Sequence, residues 1–249
     1  MKAVGVIPAR FGSTRFPGKM LADLGGKPLF VRTVERARQA KLLEDVLVAT
    51  DDERIADAAR KEGIPVCMTR EDHASGTDRI AEASADVLAE ILVNIQGDEP
   101  FMDPELIDRL VMRMQDEPGL EMVTAATPVR TAEELRAPSV VKVVCSDAGH
   151  ALYFSRSLIP HSRDATPEIL LNQGIYHRHL GIYVYRRDFL LQLVQYPPHP
   201  LELTEKLEQL RALAHGAKIA VLFTDQPAPG VDTPEDLENA RRIWGELEC

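Results

Sequence analysis

The sequence is poor in cysteine. Cys67, Cys145 and Cys249 are scattered and odd in number, with no redox pair, zinc spacing or even-numbered disulfide framework among them. They read as buried or incidental thiols. Positive charge is also scarce: 29 Lys and Arg stand against 39 Asp and Glu, a net charge of −10. That argues against a nucleic-acid binder, which needs a basic footprint. No apolar run approaches the roughly 20 residues of a membrane span. The opening Met1-Lys2-Ala3-Val4-Gly5-Val6-Ile7-Pro8 has too short an apolar run for a signal peptide, so a soluble, cytoplasmic protein is expected. Internal repeats and low-complexity tracts are missing. So are Gly-x-x-x-x-Gly-Lys-Ser/Thr and Gly-x-Gly-x-x-Gly, which excludes a Walker loop and speaks against an NAD-linked dehydrogenase. No Ser-His-Asp or Cys-His arrangement is evident either.

What is present is a core. The 249 residues are 45% hydrophobic, enough for one α/β domain, 1–249, in which about 131–200 forms a substrate-side or subunit-contact subregion. The first half alternates strand-like and helix-like segments. Strands are expected at Val4–Ile7, Asp45–Thr50, Pro65–Met68, Ile91–Ile95 and Met122–Ala126. Helices are expected at Pro28–Ala40, Glu53–Glu62, Thr77–Glu90 and Pro104–Met114. This rhythm predicts a mostly parallel, Rossmann-like sheet with helices on both faces. After Thr131 the pattern changes. Val140–Cys145 and Leu152–Phe154 flank an Asp147-Ala148-Gly149 turn and predict an antiparallel hairpin insertion. Leu180–Tyr185 and Lys218–Phe223 read as strands, Thr204–Ala214 and Pro234–Leu247 as helices.

The chain is organised around Val4 to Lys19. A short apolar strand stops at Pro8, and a loop of small residues follows with Arg10, Arg15 and Lys19, turned by Pro17 and Gly18. Such a loop is suited to an anion. Its backbone N–H groups can approach phosphate oxygens, Arg grips phosphate with two donors, and Lys acts as a point charge. The end of a first strand is where open α/β sheets build nucleotide sites. The plain alternative is a solvated, basic first turn, which three cations within ten residues of an acidic chain disfavour.

Four further clusters carry polar chemistry. In His73-Ala74-Ser75-Gly76-Thr77-Asp78-Arg79, either Ser75 or Thr77 can cap a helix whose N-terminus faces an anion. In Gln96-Gly97-Asp98-Glu99-Pro100, Asp98 follows a buried strand and is the candidate to hold Mg2+ near phosphates. Gln96 has a donor and an acceptor with which to read a base. Strand alternation puts His179, Gly181, Tyr183 and Tyr185 on one face, where His179 and Tyr183 can hydrogen-bond hydroxyls or a carboxylate. Arg79 and Arg156 are cations able to meet a carboxylate. In Gly230-Val231-Asp232-Thr233-Pro234, Asp232 or Thr233 can cap the last helix, with Pro234 in its first turn.

Arg10-x-x-Ser13-Thr14-Arg15-x-Pro17-Gly18-Lys19 resembles the signature loop of the sugar nucleotidyltransferases. With Ser75-Gly76-Thr77-Asp78-Arg79, Gln96-Gly97-Asp98-Glu99-Pro100, His179 to Arg186, Leu203 to Arg211 and Gly230 to Leu237, the ordered set is similar to the 3-deoxy-manno-octulosonate (Kdo) cytidylyltransferases from Met1 to about Asn239. The resemblance implies activation of Kdo with CTP for lipopolysaccharide biosynthesis, with Mg2+ as cofactor and a homodimer as the assembly. It implies that Arg10, Lys19, Asp98 and Asp232 are the catalytic set, with Asp98 and Asp232 as the metal carboxylates. Ala9, Arg10, Ser13, Arg15, Lys19, Ser75, Gly76 and Gln96 line the nucleotide. Arg79, Gln96, Arg156, His179, Tyr183, Glu208 and Gln209 face the sugar. The alternatives are a cytidylyltransferase for another acid sugar, such as 8-amino-Kdo or sialic acid, and a non-catalytic nucleotide-binding module.

Overall fold

A computed structural model describes residues 1–12, 15–73, 75–171, 173–226 and 229–247. The chain divides into two compact units, Met1–Met112 with Ala228–Cys249, and Arg113–Pro227. In chain order the first contains β1 (Ala3–Pro8), a 3-10 turn (Lys19–Leu21), β2 (Asp23–Leu24), β3 (Lys27–Pro28), α1 (Leu29–Ala37), β4 (Leu43–Thr50), α2 (Glu53–Lys61), β5 (Val66–Met68), α3 (Gly76–Ala83) and β6 (Ile91–Asn94). Helix α4 (Pro104–Asp116) begins in it. The second contains β7 (Met122–Pro128), α5 (Ala132–Arg136), β8 (Lys142–Cys145), β9 (Ala151–Ser155), α6 (Pro167–Leu171), β10 (His177–Arg186), α7 (Arg187–Leu193), α8 (Pro200–Glu205), α9 (Gln209–Ala214) and β11 (Ile219–Phe223). Helix α10 (Pro234–Leu247) returns to the first unit.

In the first unit β1 lies between β4 and β6, and β5 extends the far side of β4, all three pairings parallel, while β2 and β3 form a separate antiparallel pair. The β1 side chains Ala3, Val4, Val6 and Ile7 are buried, as the apolar run requires of a central parallel strand. Parallel strands end at a common edge. The loops after β1 and β6 therefore leave the sheet side by side, which sets up the site. In the second unit β7 pairs with β11 in parallel and with β10 antiparallel, while β8 pairs antiparallel with β10 and β9. The expected hairpin is β8–β9. The fold is the mostly parallel, Rossmann-like class read from the sequence.

Several boundaries differ from expectation. Pro28 belongs to β3, and α1 starts after it. Helix α3 stops at Ala83 instead of running to Glu90; Leu88, assigned to its apolar stripe, is 93% exposed. The segment expected as one helix over Thr204–Ala214 is two short helices. Between them Lys206 adopts a left-handed conformation with φ of 55°. There the Arg156 guanidinium takes the carbonyls of Glu205 at 2.7 Å and Lys206 at 3.4 Å, together with Pro138 at 3.0 Å. Carbonyls held by a side chain from β9's end do not continue a helical ladder. Helices α8 and α9 are then joined by a buried pair: Arg211 Nη2 and Nε reach the two Glu202 oxygens at 2.5 and 2.7 Å.

Candidate active site

Two backbone contacts draw the first unit's loops together. Asp98 accepts a hydrogen bond on its carbonyl from Val231 N at 2.9 Å, and Gly97 accepts one on its carbonyl from the buried Thr33 hydroxyl at 3.0 Å. A side chain at Gly97 would meet Met20 Sδ at 3.1 Å and Ile7 Cγ2 at 3.2 Å. The residue is glycine because the 3-10 turn packs directly onto it. Gly18, with φ of 73°, starts that turn and donates its N–H to Phe11 O, closing the basic loop. On the other side Phe16, Phe101, Trp244 and Val231 pack with Leu24, Leu29, Leu237 and Ala240, anchoring the start of α10.

This packing brings Lys19, Asp98 and Asp232 to one point. Lys19 is 7% exposed. Its ammonium lies 2.5 Å from Asp98 Oδ2, 2.9 Å from Asp232 Oδ1 and 3.2 Å from Val231 O. Burial depresses the Lys19 pKa, but Asp98 and Asp232 outweigh it and the net shift is upward. Arg15, largely exposed, reaches the other Asp232 oxygen at 3.0 Å. Arg10 is exposed at the mouth of the loop and Ala9 is buried, its N–H bonded to Ala49 O. Ser13 lies outside the described residues.

The cap of α10 belongs to Thr233. Its hydroxyl accepts from Asp236 N, and Asp236 Oδ2 accepts from Asp232 N, Thr233 N and the Thr233 hydroxyl. Burial raises the Asp236 pKa, and these donors overcome that and lower it. The Asp232 carboxylate is therefore not spent on the helix. Nor is that of Asp98, since Asp103 bonds the N–H of Glu105 in the first turn of α4. Two carboxylates converging on one cation are the hard oxygen donors that suit a divalent ion such as Mg2+. Among the described residues no third His, Cys, Asp or Glu joins them.

Gln96 is half-buried, and its amide donates to the buried Asn94 Oδ1 at 3.0 Å. With the amides oriented by this network, Gln96 Oε1 is left as an acceptor. Ser75 caps α3, accepting from Asp78 N at 3.1 Å, with Gly76 as the first helical residue. Arg79 is buried and committed to Asp51 at 2.5 Å and to Thr69.

In the second unit His179 and Tyr183 adjoin, ring centroids 5.2 Å apart, and Tyr183 adjoins Tyr185. A register shift lies between Leu180 and Tyr183, and the rings remain neighbours across it. Thr124 gives its one hydroxyl proton to Ile182 O at 2.7 Å, so His179 Nε2 is the donor in the 2.9 Å contact with Thr124 Oγ1. His179 Nδ1 is then an acceptor. Packing of the ring inside the protein pushes its pKa down to about 3, so the ring is neutral at physiological pH. Arg156 is engaged with the three carbonyls described above. Glu208 precedes α9, and Gln209 is buried with its Nε2 unpartnered within the described residues.

Sequence reading named Thr233 as a possible cap but missed Asn94, Thr124 and Asp236, which orient these groups. Asn94 and Thr124 are polar side chains on largely apolar strands, and Thr233-x-x-Asp236 has the spacing of a capping box; each carried a usable signal.

An open α/β fold with basic and acidic loops converging beyond β1 and β6 has the form in which such sheets bind nucleotides. A family model described as cytidylyltransferase matches residues 4–219. A protein of Geobacter sulfurreducens named 3-deoxy-manno-octulosonate cytidylyltransferase is 48% identical over 96% of this chain and 97% of its own. One of the same name from Pelobacter propionicus is 47% identical over 100% and 99%. A solved structure described as CMP:2-keto-3-deoxy-manno-octonic acid synthetase complexed with CTP superposes with a TM-score of 0.93 at 44% identity, covering 99% of this chain and 100% of that one. The chain belongs to the cytidylyltransferase family, among the 3-deoxy-manno-octulosonate cytidylyltransferases.

Proposed function

We propose that the chain transfers a cytidylyl group from CTP to Kdo, forming CMP-Kdo and pyrophosphate. The observation that carries this reading is the convergence of Lys19, Asp98 and Asp232 beside the basic loop, in a chain with full-length relatives of that name. The sugar's anomeric hydroxyl attacks the α-phosphorus and pyrophosphate leaves. Such a transfer needs positioning and charge neutralisation more than covalent help. Arg10, Arg15 and Lys19 hold the triphosphate and the departing pyrophosphate. Asp98 and Asp232 hold Mg2+, which when bound neutralises phosphate charge and lowers the pKa of the attacking hydroxyl. Two carboxylates plus phosphate oxygens and water are a usual Mg2+ shell. Ser75 and Gly76 line the nucleotide, and Arg79, Arg156, His179, Tyr183, Glu208 and Gln209 are assigned to the sugar side. A cytoplasmic homodimer is proposed from the resemblance alone; no described helix is long and apolar enough to cross a membrane. The test is pyrophosphate release with each nucleoside triphosphate against a panel of sugar acids: CTP with Kdo is expected to be fastest, and turnover with other pairs but not this one would overturn the reading.

Two predictions arise here. An acceptor at Gln96 Oε1 suits the exocyclic amine of cytosine and leaves the O4 of uracil facing another acceptor. CTP should exceed UTP in kcat/KM by roughly 1–3 kcal/mol, about 5- to 150-fold. In Gln96→Glu the acceptor persists and in Gln96→Ala it is lost, so the preference should shrink only in the second; equal use of CTP and UTP by the unsubstituted enzyme would refute the base assignment. On the sugar side, His179→Ala or Tyr183→Ala should raise KM for Kdo about 10-fold, with little change in KM for CTP. Because burial holds His179 neutral, KM for Kdo should show no imidazole titration between about pH 6 and 8. A KM change confined to CTP would remove both residues from the sugar site.

A further inference from the structure

We infer that Lys19 is a displaceable resident cation of the Asp98–Asp232 pair, and that its transfer from carboxylates to phosphate makes metal entry and nucleotide entry mutually dependent. This rests on the reading of Asp98 and Asp232 as the metal ligands.

The argument is one of donor supply and charge. An ammonium has three N–H donors, and Lys19 has three oxygen partners: Asp98 Oδ2, Asp232 Oδ1 and Val231 O. In this arrangement it has no donor left for a phosphate. Arg15, the neighbouring cation of the same loop, also faces Asp232. For Lys19 to hold a triphosphate it must release the carboxylates. That release leaves two negative groups close together with Lys19, their most buried partner, withdrawn, and like charges so placed repel strongly. A divalent cation replaces the lost charge with one to spare. Conversely, an ion arriving without nucleotide meets an ammonium already between the carboxylates and has nowhere to send it. Each ligand therefore removes the obstacle to the other, and such coupling is reciprocal. The burial of Lys19 sharpens this, because solvent screens a buried charge poorly.

The experiment uses Mn2+ in place of Mg2+, with free ion counted by electron paramagnetic resonance. The unsubstituted protein should bind Mn2+ weakly alone and at least about 5-fold more tightly with CTP, within the usual range of coupling, after allowance for the ion held by free CTP. Lys19→Met removes the resident cation. It should bind Mn2+ without nucleotide about 10-fold or more tightly than the unsubstituted protein, and the further gain from CTP should be smaller than in the unsubstituted protein, because only direct coordination by the phosphate oxygens remains. If Lys19→Met binds nucleotide-free Mn2+ no better, while the unsubstituted protein takes up the ion with CTP and loses it in Asp98→Asn, the exchange is wrong and the metal reading stands. If Asp98→Asn and Asp232→Asn bind Mn2+ with CTP as well as the unsubstituted protein, the metal reading itself fails. Should Lys19→Met not fold, thermal midpoints of the unsubstituted protein decide. The rise with Mn2+ and CTP together should exceed the sum of the separate rises, and a merely additive rise overturns the exchange.

Discussion

Asp98→Asn and Asp232→Asn should each lose about 10^2-fold or more in kcat, the scale of removing one main electrostatic stabiliser of a transition state. Asn caps a helix about as well as Asp, so a purely structural aspartate would tolerate the change. The structure strengthens this test, since Thr233 caps α10 and Asp236 completes the box, leaving the Asp232 carboxylate to Lys19 and Arg15. A metal ligand does not tolerate the change, because an amide lacks the charge a hard cation seeks. The two variants should differ in stability. The Asp232 side chain is 49% exposed, and its Asn variant should melt near the unsubstituted protein. Asp98 is the closest partner of a buried ammonium, and its Asn variant should melt lower, by about 1–3 kcal/mol for a weakened charged contact. Raised Mg2+ should partly restore either enzyme. Normal turnover in both folded variants would place the metal elsewhere.

Glu202→Gln should be the most destabilising single substitution of those considered, by about 3–5 kcal/mol in denaturant unfolding at pH 7. Both side chains of the Glu202–Arg211 pair are only 9% exposed, and the substitution leaves a buried guanidinium without its counter-charge. The pair joins α8 to α9 across the break at Lys206, so local packing has no continuous helical ladder to fall back on. Burial raises the Glu202 pKa, but Arg211 overcomes this and the net shift is downward. The sign follows. A carboxyl depressed in the folded state contributes fully above its unfolded pKa of about 4.3 and loses that contribution as pH falls through its folded value. The gap between the unsubstituted protein and Glu202→Gln should therefore be constant at neutral pH and narrow only on the acid side of about pH 4. A gap that stayed wide at low pH would show that packing, not charge, carries the loss.

The two predictions depend on different kinds of information. Asp98 stood out in the sequence as an acidic residue after a buried strand, whereas the run around Asp232 offered only a helix cap and its pairing with Asp98 was implied by the family resemblance. Arg10, Arg15 and Lys19 were legible because three cations in a small-residue loop stand out in an acidic chain. The parallel strands were legible because burial on both faces demands continuous apolar runs, which Ala3–Pro8 and Ile91–Asn94 supply. Such signals lie within a few residues of one another along the chain.

Glu202 and Arg211 had no such signal. Arg211 fell inside the helix expected over Thr204–Ala214 and Glu202 outside it; they pair across a break at Lys206, where Arg156, from the end of β9, takes the carbonyls of Glu205 and Lys206. The single proton of Thr124, given to Ile182, decides which nitrogen of His179 accepts, and that depends on strand register. By itself the sequence determined the element types of the parallel sheet, the loops that carry charge and the family they resemble, because periodicity and local composition act over one or two turns of chain. Only the tertiary structure decided that Thr233 and not Asp232 caps α10, that Arg79 is committed to Asp51, and that Lys19 lies between two aspartates 79 and 213 residues away. Those outcomes rest on which hydrogen-bond donors and charges reach each other first in three dimensions, a competition among partners that spacing along the chain does not record.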